Sequence, residues 1–239
     1  MYLRDRTVVV IDVLRASTTI ATALCNGAKE VIPVTTVESA MKIVGNLFGD
    51  VTLLGGERNG KMIEGFSLGN SPLEYSGERV RGKSIIFSST NGSGAMVKAR
   101  FARDLAICGF VNISTVEKFL SESKHDVTIL CSGHEANFSM EDAVCAGMLI
   151  QKLRDTNGMN LTYDDAGAAS LALYKTQGKS LSTMLASSDH GRQLEELGFG
   201  DDLKACAGVD SVPVLPLLHG NVIKVKREET EVSKAPVSS

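Results

Sequence analysis

Asp12 and Arg15 stand three residues apart in the stretch "VVVIDVLRAS". A carboxylate at the end of an apolar run can hold a divalent cation or attack an electrophile. An arginine one loop later can clamp a phosphoryl or carboxylate group through two parallel N–H bonds. Ser17, Thr18 and Thr19 follow with hydroxyl groups. A local ion pair that tidies a strand end explains the same residues, and both readings stay open on this stretch alone.

Three further stretches carry polar chemistry. "STNGSG", Ser89 to Gly94, places small polar residues and glycines where backbone N–H groups at a helix start could approach an anion, which marks Thr90, Asn91 and Gly92; a plain tight turn is the alternative. It departs from the dinucleotide fingerprint at Val97 and has no Gly-Lys-Ser/Thr, which disfavours a nucleotide-dependent oxidoreductase. "GGERNG" and "EGFSLGNSP" supply Glu57, Arg58, Glu64, Asn70 and Ser71. "NFSMEDAV" puts Glu141 and Asp142 in the first turn of a helix, a placement that capping by Ser139 and the helix dipole explain without any function. His134 and His190, in loops, read by themselves as surface residues, and without a Gly-x-Ser-x-Gly elbow a serine hydrolase is disfavoured.

These loops need a scaffold. Apolar, β-branched runs alternate with Ala-rich stretches of helical period, as in α/β proteins with a largely parallel sheet. The spacing predicts a strand over Thr7–Ile11, a helix over Ala16–Asn26 closed by Gly27, and a strand over Glu30–Val34. The second unit runs through "KSIIFSS", "TNGSG", "AMVKARFA" and "DLAICGF", and the third through "DVTILCSG", "HEANFSM" and "EDAVCAGMLIQKL". Ligands gather at the carboxyl ends of such strands, so the three polar loops are expected to share one site. Residues 52–82 read as one long loop, ordered because it keeps Ile63, Phe66, Leu68 and Leu73.

After Leu153 the pattern is helical, with a cap at Thr162 or Asp164, a helix over Leu181–Ala186 and another in "HGRQLEELG". Pro213 and Pro216 argue for edge strands in "VDSVPVLPLLHGNVIKV". Residues 1–225 are read as a single α/β domain and 226–239 as a flexible tail.

With 239 residues, 43% of them hydrophobic, and a net charge of −3, the chain has the profile of a soluble globular protein with neither a basic stripe for nucleic acid nor a membrane span. Five scattered cysteines without a C-x-x-C read as reduced core residues. No signal-peptide pattern is found, so the expected location is cytoplasmic and the expected partner a small molecule.

The order "IDVLRASTT", "GGERNGKMIEGFSLGNSP", "STNGSGA", "FSMEDAVCAG" and "SDHGRQLEELGF", with a late Val-Pro, resembles the 2-phosphosulfolactate phosphatase family from about Val8 to Pro213. The resemblance implies a three-layer α/β/α sandwich with a largely parallel or mixed sheet. It also implies a Mg²⁺-dependent phosphatase converting 2-phospho-3-sulfolactate to 3-sulfolactate and inorganic phosphate in coenzyme M biosynthesis. Another small phosphorylated hydroxyacid as substrate, or a non-catalytic anion-binding protein of the same fold, are the alternatives. A homodimer is the assembly it suggests.

The family's motifs fall on Asp12, Arg15 and Ser17; on Glu57, Glu64, Asn70, Ser71 and Pro72; on Thr90, Asn91 and Gly92; on Ser139, Glu141 and Asp142; and on His190 and Gly191. Asp12 and Arg15 are the expected catalytic pair. Asp12, Glu57, Glu141 and Asp142 are the expected metal ligands. Ser17, Arg58, Asn70, Ser71, Thr90, Asn91, Gly92, Ser139 and His190 are expected to bind substrate. Three departures stand out: only seven residues precede the first motif, where members usually have a strand; Ser93 replaces a usual Thr; and Ser67 stands where an Asp is common.

Overall fold

The computed structural model describes residues 3–46, 52–123, 125–157 and 161–226. Its strands are β1 (Thr7–Ile11), β2 (Glu30–Pro33), β3 (Thr52–Arg58), β4 (Lys61–Met62), β5 (Ser84–Ser88), β6 (Asp104–Cys108), β7 (Val127–Cys131), β8 (Pro216–His219) and β9 (Val222–Val225). The helices are α1 (Ala16–Cys25), α2 (Val37–Asn46), α3 (Gly77–Val80), α4 (Gly92–Ala99), α5 (Ile113–Ser121), α6 (Met140–Asn157), α7 (Asp165–Gln177), α8 (Leu181–Ser187), α9 (Asp189–Glu196) and α10 (Gly200–Cys206).

All described strands join one mixed sheet in the order β4-β3-β5-β2-β9-β8-β6-β1-β7. Helices cover both faces, which gives the expected α/β/α sandwich. β1 is apolar at every position after Thr7 because both its faces are covered. Val9 and Ile11 pack into the core shared with α5, α6 and α8–α10, while Val8 and Val10 pack into the core shared with α1 and α4. β1 pairs in parallel with β6 and β7, with Ile11 level with Cys108 on one side and Cys131 on the other. Asp12, Gly109 and Ser132 therefore leave the sheet at the same edge, where α1, α4 and α6 also begin.

Two expectations are corrected. The hairpin β8–β9 lies in the middle of the sheet, antiparallel between β2 and β6, and not at an edge. Its prolines do not exclude this position, because Pro213 precedes the strand and Pro216 opens it, so neither removes an N–H from its interior. Residues 52–82 are not one long loop either. They contain β3, β4, a 3-10 turn at Pro72–Glu74 and α3. β3 and β4 form a hairpin closed by Asn59 and Gly60, both at positive φ, and this two-residue turn matches the twist of the flanking strands.

Smaller differences follow from local causes. The second helix begins at Gly92 rather than Ala95, so Gly92 and Ser93 belong to its first turn. α2, whose buried Ala40 packs near Val34 and Ile86, was not anticipated. Gly27 ends α1 at φ +92°, and Asp164 caps α7 by accepting the Gly167 N–H at 2.9 Å. Beyond Lys226 the expected tail lies outside the described residues.

Gly56 sits in β3 at φ +139°, and a Cβ there would fall on the Ser88 carbonyl of β5. Gly56→Ala is expected to cost at least ~3 kcal/mol, a Tm drop of more than about 6 °C for a chain of this size. Gly94 has nothing within 4 Å of where a Cβ would stand, so Gly94→Ala is expected to leave Tm unchanged or raise it. Equal Tm values for the two variants would contradict this account of β3.

Candidate active site

Asp12 is fixed by the helix that follows it. Its Oδ1 accepts the Ala16 N–H at 3.2 Å, its carbonyl accepts the Ser17 N–H at 2.9 Å, and its own N–H donates to Ser17 Oγ at 3.0 Å. Ser17 thus holds Asp12 in place. Oδ2 has no hydrogen-bond donor among the described residues, and it faces the start of α4. A Cβ on Gly92 would stand 2.5 Å from that oxygen and 2.8 Å from Ala16 Cβ, so only glycine lets α4 begin against the carboxylate. The positive ends of α1 and α4 both lie beside Asp12.

α6 supplies the next carboxylates. Asp142 accepts the Val13 N–H at 2.9 Å and the Gly133 N–H at 3.1 Å, stitching the end of β1 to the end of β7. Ser139 Oγ accepts the Asp142 N–H at 3.2 Å, so the expected cap is present, yet it does not exhaust the role of this turn. Glu141 Oε1 lies 3.3 Å from His190 Nδ1, and the His190 ring stacks on His134 with centroids 4.1 Å apart. His134, read from sequence as a surface residue, is half-buried against this pair, and its Nδ1 is buried without a hydrogen-bond partner. It stands at the base of a turn in which Glu135 and Ala136 both have positive φ.

A second network braces the other side. Glu57 Oε1 accepts the Thr90 N–H at 2.7 Å, and its Oε2 accepts Thr90 Oγ1 at 3.1 Å and the Gly60 N–H at 2.9 Å. The Gly60 carbonyl accepts Arg15 Nη2 at 2.8 Å, while Arg15 Nη1 donates to Asp202 at 2.6 Å. Arg15 is 2% exposed and lies 4.3 Å from the Phe199 ring centroid, so it pairs with a partner on α10 and not with Asp12. Ser71 Oγ donates to the other oxygen of Asp202 at 2.6 Å.

The remaining expected residues are distributed around this core. Arg58 is turned outward, bonded to the Glu57 and Thr35 carbonyls and to Ser88 Oγ. The Asn70 carbonyl accepts Thr19 Oγ1 at 2.7 Å, and its buried Oδ1 has no partner. Asn91 Oδ1 accepts the Glu135 N–H at 3.2 Å, tying the "STNGSG" loop to the His134 turn. Glu64 is exposed. Asp202 was missed by sequence reasoning because its partner is 187 residues away; its only sequence signal was a second acidic residue where the first turn of α10 has one surface ion pair, Asp201–Lys204.

Electrostatics sets the state of the cluster. Burial pushes the Asp12 carboxyl up to about 6; His190 opposes the shift, and the negative Glu57 and Glu141 add to it. Burial, and then the charges of Asp12 and Glu141, hold Asp142 well above the ordinary aspartate value. Burial also acts to raise Glu141, but its bond to His190 keeps it below the ordinary value. Burial, followed by the neighbouring His190, lowers the His134 imidazole.

The sign of the Asp12 shift has a consequence for folding. Between the unfolded value near 4 and the folded value of about 6, the folded state binds more protons, so stability falls as pH rises through this window. With chelator present, Asp12→Asn is expected to be more stable than the parent at pH 7.5 by roughly 2–3 kcal/mol, from ~1.4 kcal/mol per pKa unit, and equal to it at pH 3.5. Urea unfolding at both pH values measures this. A variant less stable at pH 7.5 would contradict the burial of a strained charge.

Comparison with known proteins places the chain in a family. A family model described as 2-phosphosulpholactate phosphatase matches residues 2–221. A protein of Caldanaerobacter subterraneus subsp. tengcongensis named probable 2-phosphosulfolactate phosphatase is 42% identical over 226 residues, 95% of this chain and 93% of the relative. Proteins with the same name from Symbiobacterium thermophilum and Carboxydothermus hydrogenoformans are 39% and 41% identical, covering 92% and 90% of this chain and 95% and 87% of their own lengths. The chain belongs to the 2-phosphosulfolactate phosphatase family of phosphoric monoester hydrolases.

Proposed function

We propose that this chain hydrolyses 2-phospho-3-sulfolactate to 3-sulfolactate and inorganic phosphate, with Mg²⁺ as cofactor, as a step of coenzyme M biosynthesis. The observation that carries the reading is the meeting of buried carboxylates with the starts of α1 and α4 at the ends of β1, β5 and β7. It combines acid–base groups with backbone N–H groups that suit an oxyanion.

Among the described residues, no three His, Cys, Asp or Glu side chains close on one point as a ready metal cage. Mg²⁺ does not require one, since it usually takes one or two carboxylates and completes its shell with water and substrate phosphate. The donor chemistry fits: the carboxylates offer hard oxygen, Asp12 has Oδ2 unbonded, and burial first, with neighbouring negative charge added, raises two aspartates. Asp12 and Glu141 are the residues proposed to hold it. The oxygens of Asp142 and Glu57 are already occupied by backbone and side-chain donors, and these two residues are proposed to shape the site. When bound, Mg²⁺ offsets negative charge on the phosphoryl oxygens.

The chain's own groups supply the rest. The Gly92 and Gly94 N–H groups at the start of α4, which have no acceptor among the described residues, would serve the phosphoryl oxygens, while those of Ala16 and Ser17 in α1 are committed to Asp12. Arg15, ion-paired with Asp202 and bonded to the Gly60 carbonyl, positions the β1–α1 loop rather than forking onto the substrate. Asp12, which would hold the metal through Oδ2, orients the attacking water, and the proton that this water sheds is taken up by the phosphate produced. Direct attack by water is favoured over an aspartyl phosphate because "DVLRAST" lacks the second Asp of the Asp-x-Asp phosphatase motif. His190, oriented by Glu141 at Nδ1, carries a proton at Nε2 to the departing sulfolactate oxygen.

Phosphate release with Mg²⁺ is expected to be fastest on 2-phosphosulfolactate within a panel of phosphorylated hydroxyacids. Asp12→Asn is expected to lower kcat by about a thousandfold. Borohydride quenching during turnover, which would reduce an aspartyl phosphate to homoserine, is expected to leave Asp12 unchanged. No phosphate release from any member of the panel would overturn the proposal, whereas faster release from another member would reassign the substrate. Millimolar Mg²⁺ is expected to raise the Tm of the parent at pH 7.5 and leave that of Asp12→Asn unchanged. An equal shift in both would remove Asp12 from the metal.

A further inference from the structure

A cavity of about 420 Å³ opens beside the acidic cluster, lined by His134, Ser139, Glu141, Gln177, Ser188 and His190 among others. The proposed substrate brings three acid groups into a region rich in carboxylates, so each must meet a donor that is not already committed. Nearby cations do not meet this need. Arg15 is bound to Asp202, Arg58 is turned outward onto carbonyls and Ser88, and Arg192 is bonded to Asp189 and the Ser187 carbonyl. His190 has its Nδ1 on Glu141. His134 differs: no side-chain hydrogen bond engages its ring among the described residues, and its Nδ1 is buried without a partner.

Nδ1 is closed off from solvent, so the nitrogen left to meet a ligand is Nε2, which carries the ring proton when Nδ1 is bare. The ring is held in position. It stacks on His190, and its turn pairs with Asn137 and is tied to Asn91 through Glu135.

His190 acts on Asp12 electrostatically and stacks on His134, so one ring links His134 to the carboxylate cluster. In 2-phosphosulfolactate the carboxylate is on the carbon that bears the phosphoester, and the sulfonate is one carbon further out. The sulfonate is thus the acid group on the longer arm, the one with more reach into the cavity.

We propose that His134 recognises the substrate's sulfonate, donating a hydrogen bond to it in the cavity shared with His190. This rests on the phosphatase reading and adds to it a residue that sets specificity. Its role is in binding, and the proton transfer assigned to His190 does not depend on it.

The test compares 2-phosphosulfolactate with 2-phospholactate, which has hydrogen in place of the sulfonate, on the full chain with Mg²⁺. For 2-phosphosulfolactate, His134→Ala is expected to raise KM at least tenfold with kcat changed less than threefold; for 2-phospholactate its KM should match that of the parent. His134→Gln, which keeps an N–H donor and guards against loss of the turn, is expected to recover part of the lost affinity. An equal KM rise on both substrates, or no rise on the first, would overturn the assignment of His134 while leaving the phosphatase reading intact.

If the parent releases phosphate from neither compound, the phosphatase reading fails, and binding decides the assignment separately. Calorimetry should then show 3-sulfolactate binding the parent at least tenfold more tightly than His134→Ala. Equal affinities would overturn it.

Discussion

Asp12 and Asp142 are buried side by side at the end of β1, and the surrounding structure answers the electrostatic problem they create. Two carboxylates withdrawn from water resist ionisation together. The protein meets this with backbone N–H donors on Asp142 from two strand ends, an α1 donor on Asp12, and His190 close by. Gly92 follows from the same constraint, since any side chain there would displace the Asp12 oxygen. The compensation is incomplete, which is why both aspartates titrate high. That residual charge is the physical basis for proposing a cation.

The buried Arg15–Asp202 pair is the second brace. Removing one partner of such a pair typically costs ~3–5 kcal/mol, because the other is left charged and unpaired. From Asp202 the bonds run through Arg15, Gly60 and Glu57 to Thr90, joining α10, the β1–α1 loop, the β3–β4 hairpin and the β5–α4 loop. The segment α8–α10 is thus held to the strand ends at two points, Asp202 on Arg15 and His190 on Glu141. It contributes both a structural anchor and the imidazole that meets Glu141. Displacing it would break both contacts.

What was legible in the sequence was local. Thr7–Ile11 declared itself as a strand because both faces of a covered strand must be apolar, and the loops after it declared themselves by polar residues at helix starts. Non-local pairing was not legible. The hairpin β8–β9 enters the middle of the sheet through single register pairs with Val31 and Ala106, and no local pattern announces such partners. Asn59-Gly60 was a hairpin signal that went unused, because Gly55 and Gly56 erased the alternation expected of β3. Arg15 stands in a stretch that is legible as polar, but its partner Asp202 and the stacking of His134 on His190 depend on how distant segments dock.

The convergence of strand-end loops on a metal and a phosphoryl group is tested most directly by a crystal structure with Mg²⁺ and orthovanadate. The account predicts a metal about 2.1 Å from Asp12 Oδ2, with the vanadate seated between the starts of α1 and α4 and within reach of His190. A metal or vanadate bound elsewhere, with Asp12 making only its bond to Ala16, would contradict it.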